Sequence, residues 1–294
     1  MWLVVFKFRL ARNAKHAWFV DSTFQVVSKP FTQLLSIHAF LTSGGKTKQV
    51  PPLFTLMSSR QTDDYIAVFE AVQNLPEEDL SLERMTTDFE VATWKWFRAV
   101  FPGVPVKGCT FHFNQAVYRK IQDLGLAPAY NTDVATHKFC KKLMALPFLH
   151  ADHVRPAFDK LRGKQETEGL GKLCSYIETT WMKNTTYRLQ DGCVFGQAIR
   201  TNNDLEAWHH RLNQKAGRKN LPLYTLIPFL NAEADLLPMQ SRLLTDGQLD
   251  RRQTPAQKKK AKKYFALWDN YTEGDLSPSQ LLREVAKMNG PVCQ

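Results

Sequence analysis

The sequence predicts a mixed α/β domain interrupted by a helical insertion, and three observations carry that prediction. Three apolar, β-branched runs separated by turn residues fill the stretch up to Met57. Helix-period and strand-like segments then alternate up to Phe113. From Asn114 to Ile199 the chain turns helical and basic without a convincing strand. With 294 residues, 44% of them hydrophobic, there is material for one large core with an insertion or for two domains.

The first strand is Ala17-Trp18-Phe19-Val20-Asp21, its apolar character running on through Val26 and Val27 until Pro30 breaks it. Leu34–Leu41 is the second. The polar turn Ser43-Gly44-Gly45-Lys46 leads to the third, Val50–Met57, whose prolines are expected at the strand entry, where a missing donor costs least. Tight connections make these three an antiparallel meander. Tyr65, Val68, Phe69 and Val72 then recur at helical spacing over Thr62–Leu75, ahead of Pro76. Leu80–Thr87 reads as a fourth strand running into Asp88. Val91–Phe101 is a second helix closed by Pro102-Gly103, and Val104–Phe113 is a fifth strand. The resulting order, β-β-β-α-β-α-β, matches a ribonuclease-H-like topology. The domain expectation is therefore residues 1–113 as the first part of the core and 114–199 as a helical insertion. Residues 200–240 bring the helix Asp204–Ala216 and the closing helix Pro222–Leu237, and 241–294 form a basic C-terminal tail region.

A net charge of +11 and a pI near 9.4 favour a polyanionic partner, nucleic acid being the commonest. Five scattered cysteines, Cys109, Cys140, Cys174, Cys193 and Cys293, point to a reducing, intracellular setting. No segment approaches eighteen apolar residues, so a soluble protein with no membrane partner is expected.

Two acids sit at strand positions. Asp21 interrupts an apolar strand, where an uncompensated carboxylate is costly. Asp88 stands where the fourth strand gives way to a helix, a place that a capping residue also takes. If those strands are neighbours, both carboxylates face one point, and a divalent cation such as Mg²⁺ would relieve their repulsion. Glu206 lies in the first turn of a later helix, with Asn202 and Asn203 before it and His209 and His210 one turn on. A first-turn acid also suits the helix dipole, so spacing alone leaves both readings of Glu206 open.

Four strings in order resemble the catalytic domain of Mutator-like element (MULE) transposases. They are Asp21-Ser-Thr-Phe24, Thr87-Asp88-Phe89-Glu90, Gly108-Cys-Thr-Phe-His112-Phe-Asn-Gln115-Ala, and Arg200-Thr-Asn-Asn-Asp-Leu-Glu206-Ala-Trp208-His209, within about residues 17–216. The resemblance implies a ribonuclease-H-like fold with a DDE triad, Asp21, Asp88 and Glu206, serving as both catalytic residues and metal ligands. It implies Mg²⁺, with Mn²⁺ as a substitute, and two-metal phosphoryl transfer: water cuts a phosphodiester at a transposon end, and the freed 3′-hydroxyl attacks target DNA. It further implies DNA as partner, a homo-oligomer on paired ends, and the nucleus as location. The zinc-containing DNA-binding module that usually precedes this core in the family is not expected here.

Cys109, His112, Asn203 and His209 are expected to support the site. Zinc at Cys109 and His112 is the lesser reading, because two further ligands would be needed. The run 251–263, with Lys258, Lys259, Lys260, Lys262 and Lys263, is expected to contact DNA phosphates, a solvated face being its plain alternative. The alternative function is a domesticated, non-catalytic nuclear DNA-binding protein that keeps the fold.

Overall fold

The computed structural model describes residues 3–7, 17–73, 82–189 and 192–290. Its backbone separates into two units, Met1–Val106 with Thr201–Arg252, and Lys107–Arg200 with Gln253–Gln294.

The first unit is built on a hairpin. Strands β3 (Gln33–Ser43) and β4 (Lys46–Met57) pair antiparallel from Ser43↔Lys46 inward, and Gly44 and Gly45, at φ 54° and 77°, form the turn. Two consecutive positive-φ residues twist the backbone to match the strands, which a side chain at either position would oppose. Both strands are longer than their apolar runs suggest, so Pro51 and Pro52 lie inside β4 and not at its entry. The sheet accommodates them with a bulge: Ile37 pairs with Leu53 and Ala39 with Val50, leaving His38 opposite both prolines.

Strand β2 (Ala17–Thr23) pairs antiparallel with β3, and β1 (Leu3–Lys7), which apolar patterning did not mark as a strand, pairs antiparallel with β4. Helix α1 (Thr62–Gln73) returns the chain to β5 (Arg84–Thr87), parallel to β2. The strand expected over Leu80–Thr87 is thus shorter, and its first two positions, like the expected end of the preceding helix, lie outside the described residues. Helix α2 (Val91–Val100) leads to β6 (Val106–Gly108). The sheet order is β1-β4-β3-β2-β5-β6.

Alternation along the strands divides this core. Trp18 meets Phe69 of α1 and Phe101 just after α2, and Gln33 donates to Tyr65 of α1, so α1 and α2 cover one face. The opposite face carries α8 (Asn203–Ala216), followed by α9 (Leu223–Ala234) and α10 (Leu236–Thr245). There Val26, Leu34, Phe54, Leu56, Trp208, Leu212, Leu226 and Leu230 bury one another. Burying each such side chain contributes about 1.5–3 kcal/mol, enough to seat α8 firmly although its sequence is mostly polar.

The second unit is helical: α3 (Thr110–Asp123), α4 (Ala127–Thr132), α5 (Val134–Ala145), α6 (Ala151–Arg162), α7 (Glu168–Ile177), α11 (Pro255–Thr272) and α12 (Pro278–Met288). The strand expected over Val104–Phe113 ends at Gly108. Phe113, Val117 and Ile121 recur every four residues and are buried, so the chain from Thr110 becomes a helix with that stripe inward. The stretch expected as a basic tail holds α11 and α12. Thr254 and Gln257, then Ser277 and Gln280, form capping boxes with Pro at the first helical position of each. Trp268 donates to the Phe148 carbonyl at 3.0 Å and Asn289 to that of Met144 at 2.8 Å, fixing both helices to the rest of the unit. No helix among the described residues is long and apolar enough to cross a membrane.

Candidate functional site

Sheet register places the first two acids. In the parallel pair, Val20 is matched with Thr87, so Asp21 and Asp88 occupy the next corresponding positions on strands about 4.8 Å apart. Asp21 shares its parity with Phe19 and Thr23 and lies on the face covered by α8. Its side chain is only 11% exposed, and its Oδ1 accepts from the Ser22 amide at 2.8 Å.

The third acid arrives on α8. Asn202, fully buried, donates from Nδ2 towards the Val20 carbonyl at 3.5 Å, while its own carbonyl accepts the Glu206 amide at 2.8 Å. This fastens the start of α8 to β2 beside Asp21. A carboxylate oxygen of Glu206 then lies within 4.8 Å of one from Asp21. Downstream, Arg211 and Lys215 both reach the buried Glu233 of α9, at 2.8 and 2.7 Å, and Arg251 holds Asp204 in the first turn of α8 at 2.5 Å.

His209, one turn beyond Glu206, lies on the same helix face. It is buried. Its Nε2 is 3.1 Å from Ser36 Oγ, and its Nδ1 is 3.8 Å from Asp21 Oδ2. Burial lowers its pKa to about 4 against a small upward pull from Glu206, so the ring is neutral at pH 7 and adds no counter-charge to the carboxylates. Behind it His38, in edge contact with Trp208, is held well below the usual imidazole range by burial first, then by repulsion from His209 when that ring is protonated and from Arg211.

Asp88 is held from the other side of the sheet. Its Oδ1 accepts the Glu90 amide at 3.1 Å, and its carbonyl accepts from the Trp94 indole at 2.7 Å. Glu90 is itself fixed by Arg60 at 2.8 Å and by Tyr65 at 2.9 Å, and Tyr65 accepts from Gln33 at 3.0 Å. The turn carrying Asp88 is therefore positioned by α1, α2 and β3 together.

Among the remaining expected residues, Asn203 is exposed at the start of α8, and its neighbour Asn202 has the buried, fastening position. Cys109 and His112 belong to the second unit, Cys109 as the buried N-cap of α3 and His112 in its first turn. Among the described residues Cys109 belongs to no group of three metal-ligating side chains. Lys258, Lys259, Lys260, Lys262 and Lys263 lie exposed on α11. Ser36 and His38 escaped the sequence reading, although two polar residues at alternate positions of an apolar strand signal one shared face.

The donor set fits a hard divalent cation. Both converging groups offer carboxylate oxygens, partly screened from water, and such a pair is favourable only when a positive charge lies between them. No curated protein matches the chain. Residues 17–116, which span Asp21 and Asp88 but not Glu206, match the family model described as the MULE transposase domain.

Proposed function

We propose that this chain is the catalytic part of a DDE-type DNA transposase on a ribonuclease-H-like core, cutting and joining DNA strands by Mg²⁺-dependent phosphoryl transfer. The observation that carries the reading is the approach of Asp21, inside the MULE match, to within 4.8 Å of Glu206, which lies 185 residues later in sequence and 90 residues past the end of that match. The antiparallel β2-β3-β4 set with β5 added parallel to β2 supports the fold assignment.

In this reading Asp21, Asp88 and Glu206 hold the cations. When bound, the cations supply a deprotonated water as nucleophile and charge stabilisation for the departing 3′ oxygen. The protein's own work is placement. Asn202 fastens α8 against β2, and Glu90 with Tyr65 sets the turn of Asp88. Neutral His209, backed by Ser36, lies along the inner edge of Asp21 without neutralising it. The α11 lysines supply phosphate contacts. Nuclear location and assembly on paired ends belong to the same proposal.

Calorimetric titration of Mn²⁺, with a short duplex present, tests it. Saturable binding that is lost in a folded Asp21→Asn/Asp88→Asn variant is the expected result. Equal binding in both proteins, or none in either while the duplex still binds, overturns the metal triad and leaves a DNA-binding protein without the chemistry.

A further inference from the structure

The charge of the molecule is concentrated. The second unit carries 21 Lys and Arg against 12 Asp and Glu, whereas the first carries 18 against 16. Part of that excess is internally neutralised: buried Glu178 takes Arg155, Arg162 and Lys183 as partners. Another part is crowded together. Helix α5 presents Lys138, Lys141 and Lys142 at i, i+3 and i+4, which is one face. Burial, and after it the positive charges of Lys164, Arg283 and Lys138, lower the pKa of the Lys142 ammonium. Lys260 of α11 feels Arg200 and Lys141 in the same way. Arg200 lies over the rings of Tyr264 and Trp268, at 4.6 and 5.7 Å, which fixes its guanidinium at this end of the group.

The cluster therefore draws on α5, α11, α12, the turn after α6 and the end of the segment preceding α8. Lys138, Lys164, Lys260 and Arg283 are exposed. A solvated lysine face ordinarily interleaves acids, because like charges at close range oppose folding. Here Glu284 offsets part of the charge, pairing with Arg283 at 3.3 Å and Lys287 at 2.6 Å, and the rest of the convergence from five places in the sequence is tolerated at a cost that a polyanion removes on binding.

We propose that this face of the helical unit, centred on Lys142, is a sequence-independent binding surface for the phosphate backbone of duplex DNA. It extends the α11 lysines into a continuous track, and it rests on the reading of the chain as a DNA-processing enzyme. Base-specific readout is not part of it: lysines act on phosphates as point charges, which confers affinity and salt dependence without sequence preference.

The test is fluorescence anisotropy with two unrelated 30-base-pair duplexes across a salt series, comparing wild type with Lys138→Ala/Lys142→Ala/Lys164→Ala. The expected result is an affinity loss of about tenfold to a hundredfold at 0.1 M salt, equal for both duplexes, with the log–log salt slope shallower by about 2–3. The corresponding triple Lys→Arg variant should restore both. A folded alanine variant with an unchanged slope, or an arginine variant that restores nothing, overturns the surface. Phosphatidylserine vesicles run in parallel: if they need these lysines and the duplexes do not, the face belongs to a membrane surface instead. Mn²⁺ binding by the same alanine variant should equal wild type, so failure of the catalytic reading, seen as absent Mn²⁺ binding in both, is separable from failure of the surface.

Discussion

Replacing Asp21 by Asn should make the metal-free protein more stable while destroying its response to metal. Two carboxylates within 4.8 Å repel by about 3.5 kcal/mol at an effective dielectric near 20, the value suited to partly buried pairs. Solvent access to Glu206 and the spread of charge over two oxygens reduce this to about 1–3 kcal/mol. His209, with its pKa near 4, is uncharged at pH 7 and adds nothing to offset it. Asparagine keeps an oxygen for the Ser22 amide, so the local backbone bond survives. For a unit of this size each kcal/mol moves Tm by about 2–4 °C. In EDTA at pH 7.5 the variant should therefore melt about 2–12 °C above wild type by differential scanning calorimetry. Adding Mn²⁺ should raise wild-type Tm and leave the variant unmoved, since only binding to the native state stabilises it. A variant that melts at or below wild type in EDTA would refute the argument, because the carboxylates would then not be in electrostatic conflict.

Other consequences can be measured alongside. His38 is neutral in the folded protein, so above pH 6.5 it costs nothing, whereas below 6.5 the unfolded chain takes up a proton that the native state cannot; stability should fall by up to about 1.4 kcal/mol per pH unit from this group, and urea unfolding of His38→Gln between pH 7.5 and 5 should show a shallower loss. Glu233→Ala leaves Arg211 and Lys215 facing each other without their shared acid, and should cost about 1–3 kcal/mol in urea unfolding, with metal affinity reduced through looser seating of α8; unchanged stability would show that α8 is held by its apolar face alone. Tyr65→Phe removes the hydroxyl shared by Gln33 and Glu90, with an expected cost of about 1–2 kcal/mol and weaker Mn²⁺ binding through Asp88; normal Mn²⁺ affinity would mean that the turn keeps its place without this contact.

By itself the sequence determined most kinds of element and supplied the candidate site residues. Strand alternation, the Ser43–Lys46 turn and the helical stripe of Leu205, Trp208 and Leu212 are local properties, set by backbone sterics and side-chain period, and they are read directly. Boundaries fared less well wherever a tertiary contact overrode the local signal. Pairing with β3 carries β4 across two prolines by way of a bulge, and the buried stripe Phe113, Val117 and Ile121 turns an apolar stretch into helix α3. Two capping boxes and buried aromatic anchors make helices of a run whose composition suggested a solvated tail. Only tertiary structure decided which residues share a place. Whether Asp21 meets Glu206, whether Asn202 or Asn203 is the one buried, and whether lysines from distant segments crowd around Lys142 all depend on contacts between residues far apart in the chain. Such proximity is decided by burial and pairing of whole elements, and no local spacing encodes it.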